Sequence, residues 1–188
     1  MGQYYTPVII ENDKIKTLCC YDYDNGAKLM EHSYLRNNFV ETVVKQLLDK
    51  KSRLAWVGDY AEPDDVENEL AGKFIEAERK DAQYRIKPKH NKMENSYGLC
   101  FINHSKKEYF YMDDYVFNIG KDKYGFIIHP LPLLTAIGNG KGGGDYQGIN
   151  MGLIGRWACD EIEAKTWIDE KKNPEYKNIT SMIKFYEG

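Results

Sequence analysis

Half of the glycine in this chain lies in one short segment. Residues 138–155 read GNGKGGGDYQGINMGLIG and hold eight of the sixteen glycines in 188 residues. Glycine loses more backbone entropy on folding than any other residue, so a dense run must be compensated. Either the backbone adopts positive φ and another group approaches it closely, or the segment is a mobile lid. We therefore predict a glycine-rich loop over residues 138–152 with a binding site at or beside it.

The rest of the chain predicts an α+β fold. Two pairs of β-rich runs are separated by short polar turns, which predicts two hairpins, 4–10 with 15–21 and 99–103 with 108–112. Further strands are predicted at 53–58, 124–129 and 156–165. Apolar residues recur at helical spacing in two segments, 38–50 and 66–80. We predict one domain over residues 1–188, with a mainly antiparallel sheet built from hairpins, two amphipathic helices and an extended loop over 79–97.

Composition limits the classes of partner. The chain is 42% hydrophobic and 29% charged, as in ordinary soluble domains, and its net charge of −3 provides no general attraction for nucleic acid or anionic membranes. No apolar run approaches the roughly 20 residues of a membrane helix. The N-terminus lacks signal-peptide features, and the four cysteines form no Cys-x-x-Cys pair. These features predict a reduced, cytoplasmic protein without membrane contact.

The glycine-rich loop does not match the familiar phosphate motifs. Gly138, Gly140 and Gly143 form a Gly-x-Gly-x-x-Gly pattern, but prolines precede it and further glycines replace the helix that dinucleotide binding requires. Lys141 is followed by glycines rather than by the Ser or Thr of a Walker A loop. What remains is a row of backbone N–H groups that could bind an anion, with Lys141 as a point charge.

Two Gly-Asp-Tyr triplets suggest a second chemistry. Asp59 follows an apolar strand and Asp145 ends the glycine run. Two acids in one cleft could perform general acid–base catalysis or hold a divalent cation, although aspartate after glycine is also common in turns. The four histidines show no ligand spacing. We therefore predict no resident metal and no cofactor.

Charge runs offer a third possibility. A lysine- and arginine-rich stretch over 79–92 precedes many aromatic residues, a combination found in single-stranded nucleic-acid binders and equally in solvated loops beside core strands. The acidic runs at 62–65 and 113–114 could face a basic partner, or could simply favour helix starts. Direct nucleic-acid binding is not the favoured interpretation.

Five short motifs resemble a functionally uncharacterised family of small proteins from bacteria and phages. They are GQYY at 2–5, DNGxKLME at 24–31, WxGDYA at 56–61, GNGxGGGD at 138–145 and GxWAxD at 155–160. The resemblance supplies no activity. It implies that these separate motifs gather in one place.

Three functions follow from these observations. The first is binding of a phosphate-bearing small molecule or nucleotide at the glycine-rich loop. The second is inhibition of a host nucleic-acid-processing enzyme such as a CRISPR effector, and the third is metal-assisted hydrolysis by Asp59 and Asp145. The predicted ligand-binding residues are Lys28, Glu31, Asp59, Tyr60, Asn139, Gly140, Lys141, Gly142, Gly143 and Asp145.

Overall fold

The computed structural model describes residues 2–87, 95–118 and 124–186. The chain has the predicted α+β fold, built on one eight-stranded sheet that is mostly antiparallel. The strands, in chain order, are β1 (Tyr5–Glu11), β2 (Lys14–Thr17), β3 (Ser52–Gly58), β4 (Cys100–Asn103), β5 (Glu108–Tyr111), β6 (Ala136–Ile137), β7 (Glu161–Lys165) and β8 (Lys177–Asn178).

The sheet joins the two predicted hairpins through a strand from late in the chain. The order is β2-β1-β3-β7-β4-β5-β8, with β6 pairing in parallel beside β3. Strand β7 pairs Glu161 with Arg53 on one side and Ala164 with Phe101 on the other. Both hairpins, β1–β2 and β4–β5, are confirmed.

Six α-helices occur within the described residues, and none of them is long and apolar enough to cross a membrane. The longest, α2, begins where the Asn37 side chain accepts a hydrogen bond from the Phe39 amide at 2.9 Å, which caps the first turn. The helices are α1 (Leu29–His32), α2 (Asn38–Leu47), α3 (Ala71–Arg79), α4 (Asp81–Tyr84), α5 (Met112–Asn118) and α6 (Pro130–Leu134).

The two amphipathic helices cover opposite faces of the sheet. Successive side chains of a strand point to opposite faces. Trp56 therefore packs in the same cluster as Phe39 of α2, whereas Val57 packs in a second cluster with Phe74 of α3. This arrangement buries β3 on both faces.

The region around Pro130 differs from the prediction of a strand at 124–129. Only an isolated bridge joins Tyr34 to Ile128 there. Proline suits the first turn of a helix, so Pro130 begins α6. The Nδ1 atom of His129 accepts the Leu131 amide at 3.2 Å and caps that turn.

Two other predicted segments also need correction. The predicted extended loop at 79–97 contains the end of α3 and the short helix α4, and its residues 88–94 lie outside the described part of the chain. The predicted strand at 156–165 is only half strand, because residues 156–159 form turns and Cys159 has a φ of +64°. Pairing therefore begins at Glu161.

Candidate functional site

The glycine-rich loop encloses the buried side chain of Gln3. A Cβ atom at Gly142 would lie 2.3 Å from the backbone nitrogen of Gln3. Cβ atoms at Gly58 and Gly138 would lie 2.2 and 2.7 Å from one terminal atom of its side-chain amide. Real Cβ atoms do not approach other atoms so closely, so three glycines are required here by the packing of one residue. These glycines let the protein's own N-terminal segment pack closely against their backbone.

The amides of the loop already have an anionic partner. Gly140 and Gly142 donate backbone hydrogen bonds of 2.8 and 3.0 Å to Oδ2 of Asp145, a buried residue. Its other oxygen, Oδ1, accepts the Tyr5 hydroxyl at 2.8 Å. Burial and this hydrogen bond raise the pKa of Tyr5, which keeps the phenol protonated as a donor. The carboxylate of Asp145 thus occupies the place that the sequence suggested for a phosphate.

Lys28 packs against the loop from outside, and Glu31 contacts the chain around Lys28. The Lys28 stem packs so tightly on the loop that a Cβ at Gly144 would lie 2.2 Å from its Cδ. Glu31 Oε2 accepts the backbone amide of Lys28 at 2.9 Å, which caps the first turn of α1. Lys28 therefore lies beside the loop, whereas Glu31 is shown in contact with Gly26 and the Lys28 amide, and the groups described here are engaged within the chain.

The remaining loop residues also have internal partners. The Lys141 ammonium pairs with Asp65 Oδ2 at 2.8 Å. Asn139 accepts the amide of Tyr146 at 2.8 Å and donates to its carbonyl at 3.3 Å, so it closes the loop across seven residues. Gly143 forms a parallel bridge with Gly2. These contacts hold the loop at several points between Asn139 and Tyr146.

Asp59 and Asp145 hold consecutive residues of the N-terminal segment. Asp59 Oδ1 accepts the Tyr4 amide at 3.0 Å, and the Asp59 amide donates to the Tyr4 carbonyl at 2.9 Å. The next residue, Tyr5, is the one that donates to Asp145. The two acids therefore hydrogen-bond to the same N-terminal segment, Asp59 to Tyr4 and Asp145 to Tyr5. No group of three or more His, Cys, Asp or Glu side chains suited to a metal occurs in residues 2–87, 95–118 and 124–186.

Three exposed tyrosines surround this junction. The exposed fractions of Tyr4, Tyr21 and Tyr60 are 51%, 67% and 42%. Tyr60 follows Asp59, and its backbone amide lies 3.3 Å from the Gln3 side-chain oxygen in the amide orientation that satisfies both groups. Tyr21 lies within electrostatic reach of Tyr4, since the Cys20 thiol first, burial next and then the Tyr4 phenol raise the pKa of Tyr21.

An acidic segment follows Tyr60 in the chain. Residues 62–69 read EPDDVENE and contain five carboxylates and no basic residue. Two of the five form ion pairs, Glu62 with Arg79 and Asp65 with Lys141. Nearby, burial first and the charge of Asp59 next raise the pKa of Glu78 to about 7. We call Tyr4, Tyr21, Tyr60 and residues 62–69 the tyrosine–acid surface.

A second cluster was not predicted from the sequence. His104 Nδ1 lies 2.9 Å from the Tyr176 hydroxyl, and its Nε2 lies 2.9 Å from Glu163 Oε2. Lys165 pairs with the other oxygen of Glu163 at 2.7 Å. The residues are 59 and 72 positions from His104 in sequence, so no local spacing could have indicated them. We call Tyr176, His104 and Glu163 the relay.

The other described histidines have structural partners. His32 Nδ1 accepts the Trp56 indole N–H at 3.0 Å, and burial lowers its pKa to about 4. His129 is fully buried between Ser96 and the amide of Leu131, and burial lowers its pKa to about 3. Both imidazoles are neutral near pH 7.

Four of the five sequence motifs meet around Gln3. They supply Tyr5, Lys28, Asp59 and Asp145, whereas the fifth motif lies beside the other half of β3, where the Cys159 amide donates to the Leu54 carbonyl. Comparison of this chain with protein-family models, curated proteins and solved structures finds no match. The family resemblance stays a prediction.

Proposed function

We propose that this chain is a binding protein whose tyrosine–acid surface docks on a basic surface of another protein. The observation that carries the proposal is the presence of three exposed tyrosines beside an acidic segment, on a scaffold fixed around Gln3. Of the three functions that the sequence suggests, docking on a basic protein surface fits the inhibitor of a nucleic-acid-processing enzyme.

Rigidity supports this proposal. Tyrosine supplies a large, amphipathic contact area at low entropic cost, which makes it common in binding surfaces. The backbone of Tyr4 is held by both hydrogen bonds to Asp59, and Tyr60 follows at once. Because these phenols stand on fixed backbone, little further ordering is needed when a partner binds.

Charge indicates the kind of partner. Asp64, Glu67 and Glu69 are exposed, and none of them forms an ion pair with another described residue. Uncompensated carboxylates repel nucleic acid and attract a basic surface, and they speed the encounter with it. Proteins that bind nucleic acid present such basic surfaces. The favoured partner is therefore a protein with a basic channel.

The same contacts weaken the two alternatives. A phosphate at the loop would have to displace Asp145 from the Gly140 and Gly142 amides and approach an acidic surface. A hydrolase using Asp59 and Asp145 would need carboxylates that are free for substrate or metal, whereas both accept backbone hydrogen bonds.

The test is competition with DNA for purified bacterial nucleases. Each nuclease is loaded with a fluorescent duplex, and release of the duplex on addition of this protein is followed by anisotropy. We expect release from at least one enzyme, weaker at high salt and about tenfold weaker for Asp64→Asn/Glu67→Gln. The matched control is Glu161→Gln/Glu175→Gln, which also removes two negative charges and breaks only exposed ion pairs.

Two outcomes contradict the proposal. One is release that the control variant weakens as much as the test variant. The other is absence of release throughout the panel, together with saturable stabilisation of the protein by nucleotides, which would favour the phosphate-ligand alternative.

A further inference from the structure

A cleft of about 460 Å³ lies away from the tyrosine–acid surface, beside the relay. Clefts of roughly 300–1,000 Å³ are the size class that holds small organic ligands. On this face of the sheet, Ile102 of β4 is paired with Glu163 of β7, and the segment after β7 folds back over both. Ile102 and Ile168 give the cleft an apolar floor.

The relay gives this cleft a defined arrangement of protons. Burial lowers the pKa of His104, so its imidazole is neutral near pH 7. Burial would raise the pKa of Glu163, but hydrogen bonds from Lys165 and His104 outweigh burial and lower it. Because an ionised carboxylate only accepts, Nε2 of His104 carries the proton and Nδ1 accepts from the Tyr176 hydroxyl. The lone pairs of that hydroxyl stay available to a ligand donor.

The charges that line the cleft are largely compensated within the protein. Lys165 pairs with Glu163 at 2.7 Å, and Lys172 pairs with Asp169 at 3.4 Å. Asp49 also lines the cleft and has no ion pair within the described residues. An anionic ligand would find no unpaired ammonium group among these lining residues. Recognition must therefore rest on hydrogen bonds and on apolar contact.

Trp167 supplies the apolar contact. It lines the cleft with 60% of its surface exposed, whereas the other two tryptophans, Trp56 and Trp157, are fully buried. An exposed indole beside hydroxyl, amide and charged groups offers a flat face to a ring and polar partners to its substituents. The amide of Asn173 and the hydroxyl of Thr166 complete this polar lining.

We propose that this cleft binds a neutral, hydroxyl-rich ring, a saccharide of one or two units, with Trp167 against the ring face and the relay and its lysine exchanging hydrogen bonds with the hydroxyl groups. The site is independent of the docking function proposed above, so either can fail without the other.

The test uses tryptophan fluorescence of the full chain. Because Trp167 alone among the three tryptophans is exposed, its emission is red-shifted and a ligand on its face alters it selectively. The probes are neutral glucose, galactose, mannose and N-acetylglucosamine with their disaccharides, at millimolar concentration. AMP serves as the anionic comparator and spermidine as the cationic one. We expect a saturable change with at least one sugar and with neither comparator.

Variants assign the signal to the cleft when binding is followed by calorimetry. Trp167→Ala should weaken sugar binding about tenfold, because the ring loses the flat apolar face that it packs against. Tyr176→Phe should weaken it about threefold to tenfold through the lost hydroxyl. Tyr60→Phe, the same deletion on the tyrosine–acid surface, should leave it unchanged. Saturation by AMP or spermidine alone, no saturation by any sugar, or equal loss in both tyrosine variants would overturn the proposal.

Discussion

Two adjacent glycines offer a test of whether the glycine-rich loop is packed or mobile. Gly142 and Gly143 are neighbours, and neither has a positive φ. A Cβ at Gly142 would lie 2.3, 2.7 and 2.9 Å from backbone and Cβ atoms of Gln3. A Cβ at Gly143 would meet no atom within 4 Å. Gly142→Ala and Gly143→Ala are therefore the same chemical change in two environments.

The contacts set the expected magnitudes. Alanine in place of glycine stabilises by about 0.4–1 kcal/mol where the conformation is compatible, because the unfolded chain loses freedom. Gly143→Ala should show that gain. Gly142→Ala adds an overpacking cost of about 1–3 kcal/mol, or more where the neighbour cannot move. Here the neighbour is backbone next to β1, so we expect a net loss of about 2 kcal/mol and a difference of about 3 kcal/mol between the variants.

Equilibrium unfolding in urea measures this difference directly. In thermal unfolding, a chain of this length loses about 2–4 °C per kcal/mol, so the two variants should melt roughly 6–12 °C apart. A mobile lid predicts instead that both alanines behave alike. Free energies of unfolding within about 0.5 kcal/mol of each other, the ordinary scale of surface substitutions, would refute the packed loop.

Three further predictions concern buried ionisable groups. Asp145→Ala should lower the free energy of unfolding by about 3 kcal/mol or more, because it leaves buried donors unsatisfied, whereas Asp59→Ala should cost about 1 kcal/mol or less; equal losses in urea unfolding would contradict this. Burial lowers the pKa values of His32 and His129, so the unfolded chain takes up protons at a higher pH than the folded chain. The free energy of unfolding should therefore fall as pH drops from about 6.5 towards 4, by up to about 1.4 kcal/mol per pH unit for each histidine. Stability that is flat from neutral pH to about pH 5 would refute that prediction. Burial would raise the pKa of Glu108, but hydrogen bonds from an arginine and a tryptophan outweigh it and lower the pKa. Glu108→Gln should therefore be less stable than the parent at neutral pH, and the gap should narrow as pH falls below about 4.5; a gap that widens on acidification would be the contrary result.

Local patterns predicted the parts of the fold that are fixed locally. The hairpins and α2 follow from alternation, turn residues and the Asn37 cap, all within one window of sequence. The insertion of β7 between β3 and β4 could not be predicted, because no local pattern states which strand edges meet. The two-residue strand β6 is too short to show a period.

The glycine-rich loop shows why a sequence can identify a site residue and still not reveal what that residue does. Its composition drew attention to Asp145 and to the amides of Gly140 and Gly142. The same amides suit an external phosphate and an internal carboxylate equally well, so the sequence could not choose between them. Which anion the amides bind depends on Gln3 and Tyr5, which contact the loop although they lie about 140 positions away in sequence. No local pattern predicts the relay either, because its residues are 59 and 72 positions apart in sequence.

The burial of Gln3 has a consequence for synthesis of the chain on the ribosome. Tyr5 and its partner Asp145 are 140 residues apart, so the N-terminal segment is made long before the residues that enclose it. At about 5–20 residues per second, the interval between them is roughly 7–28 s. The loop that closes over Gln3 is consequently among the last parts to form. A nascent chain released before residue 145 would already have the Tyr4–Asp59 hydrogen bonds, but its Gln3 would be uncovered and its Tyr5 hydroxyl would lack Asp145.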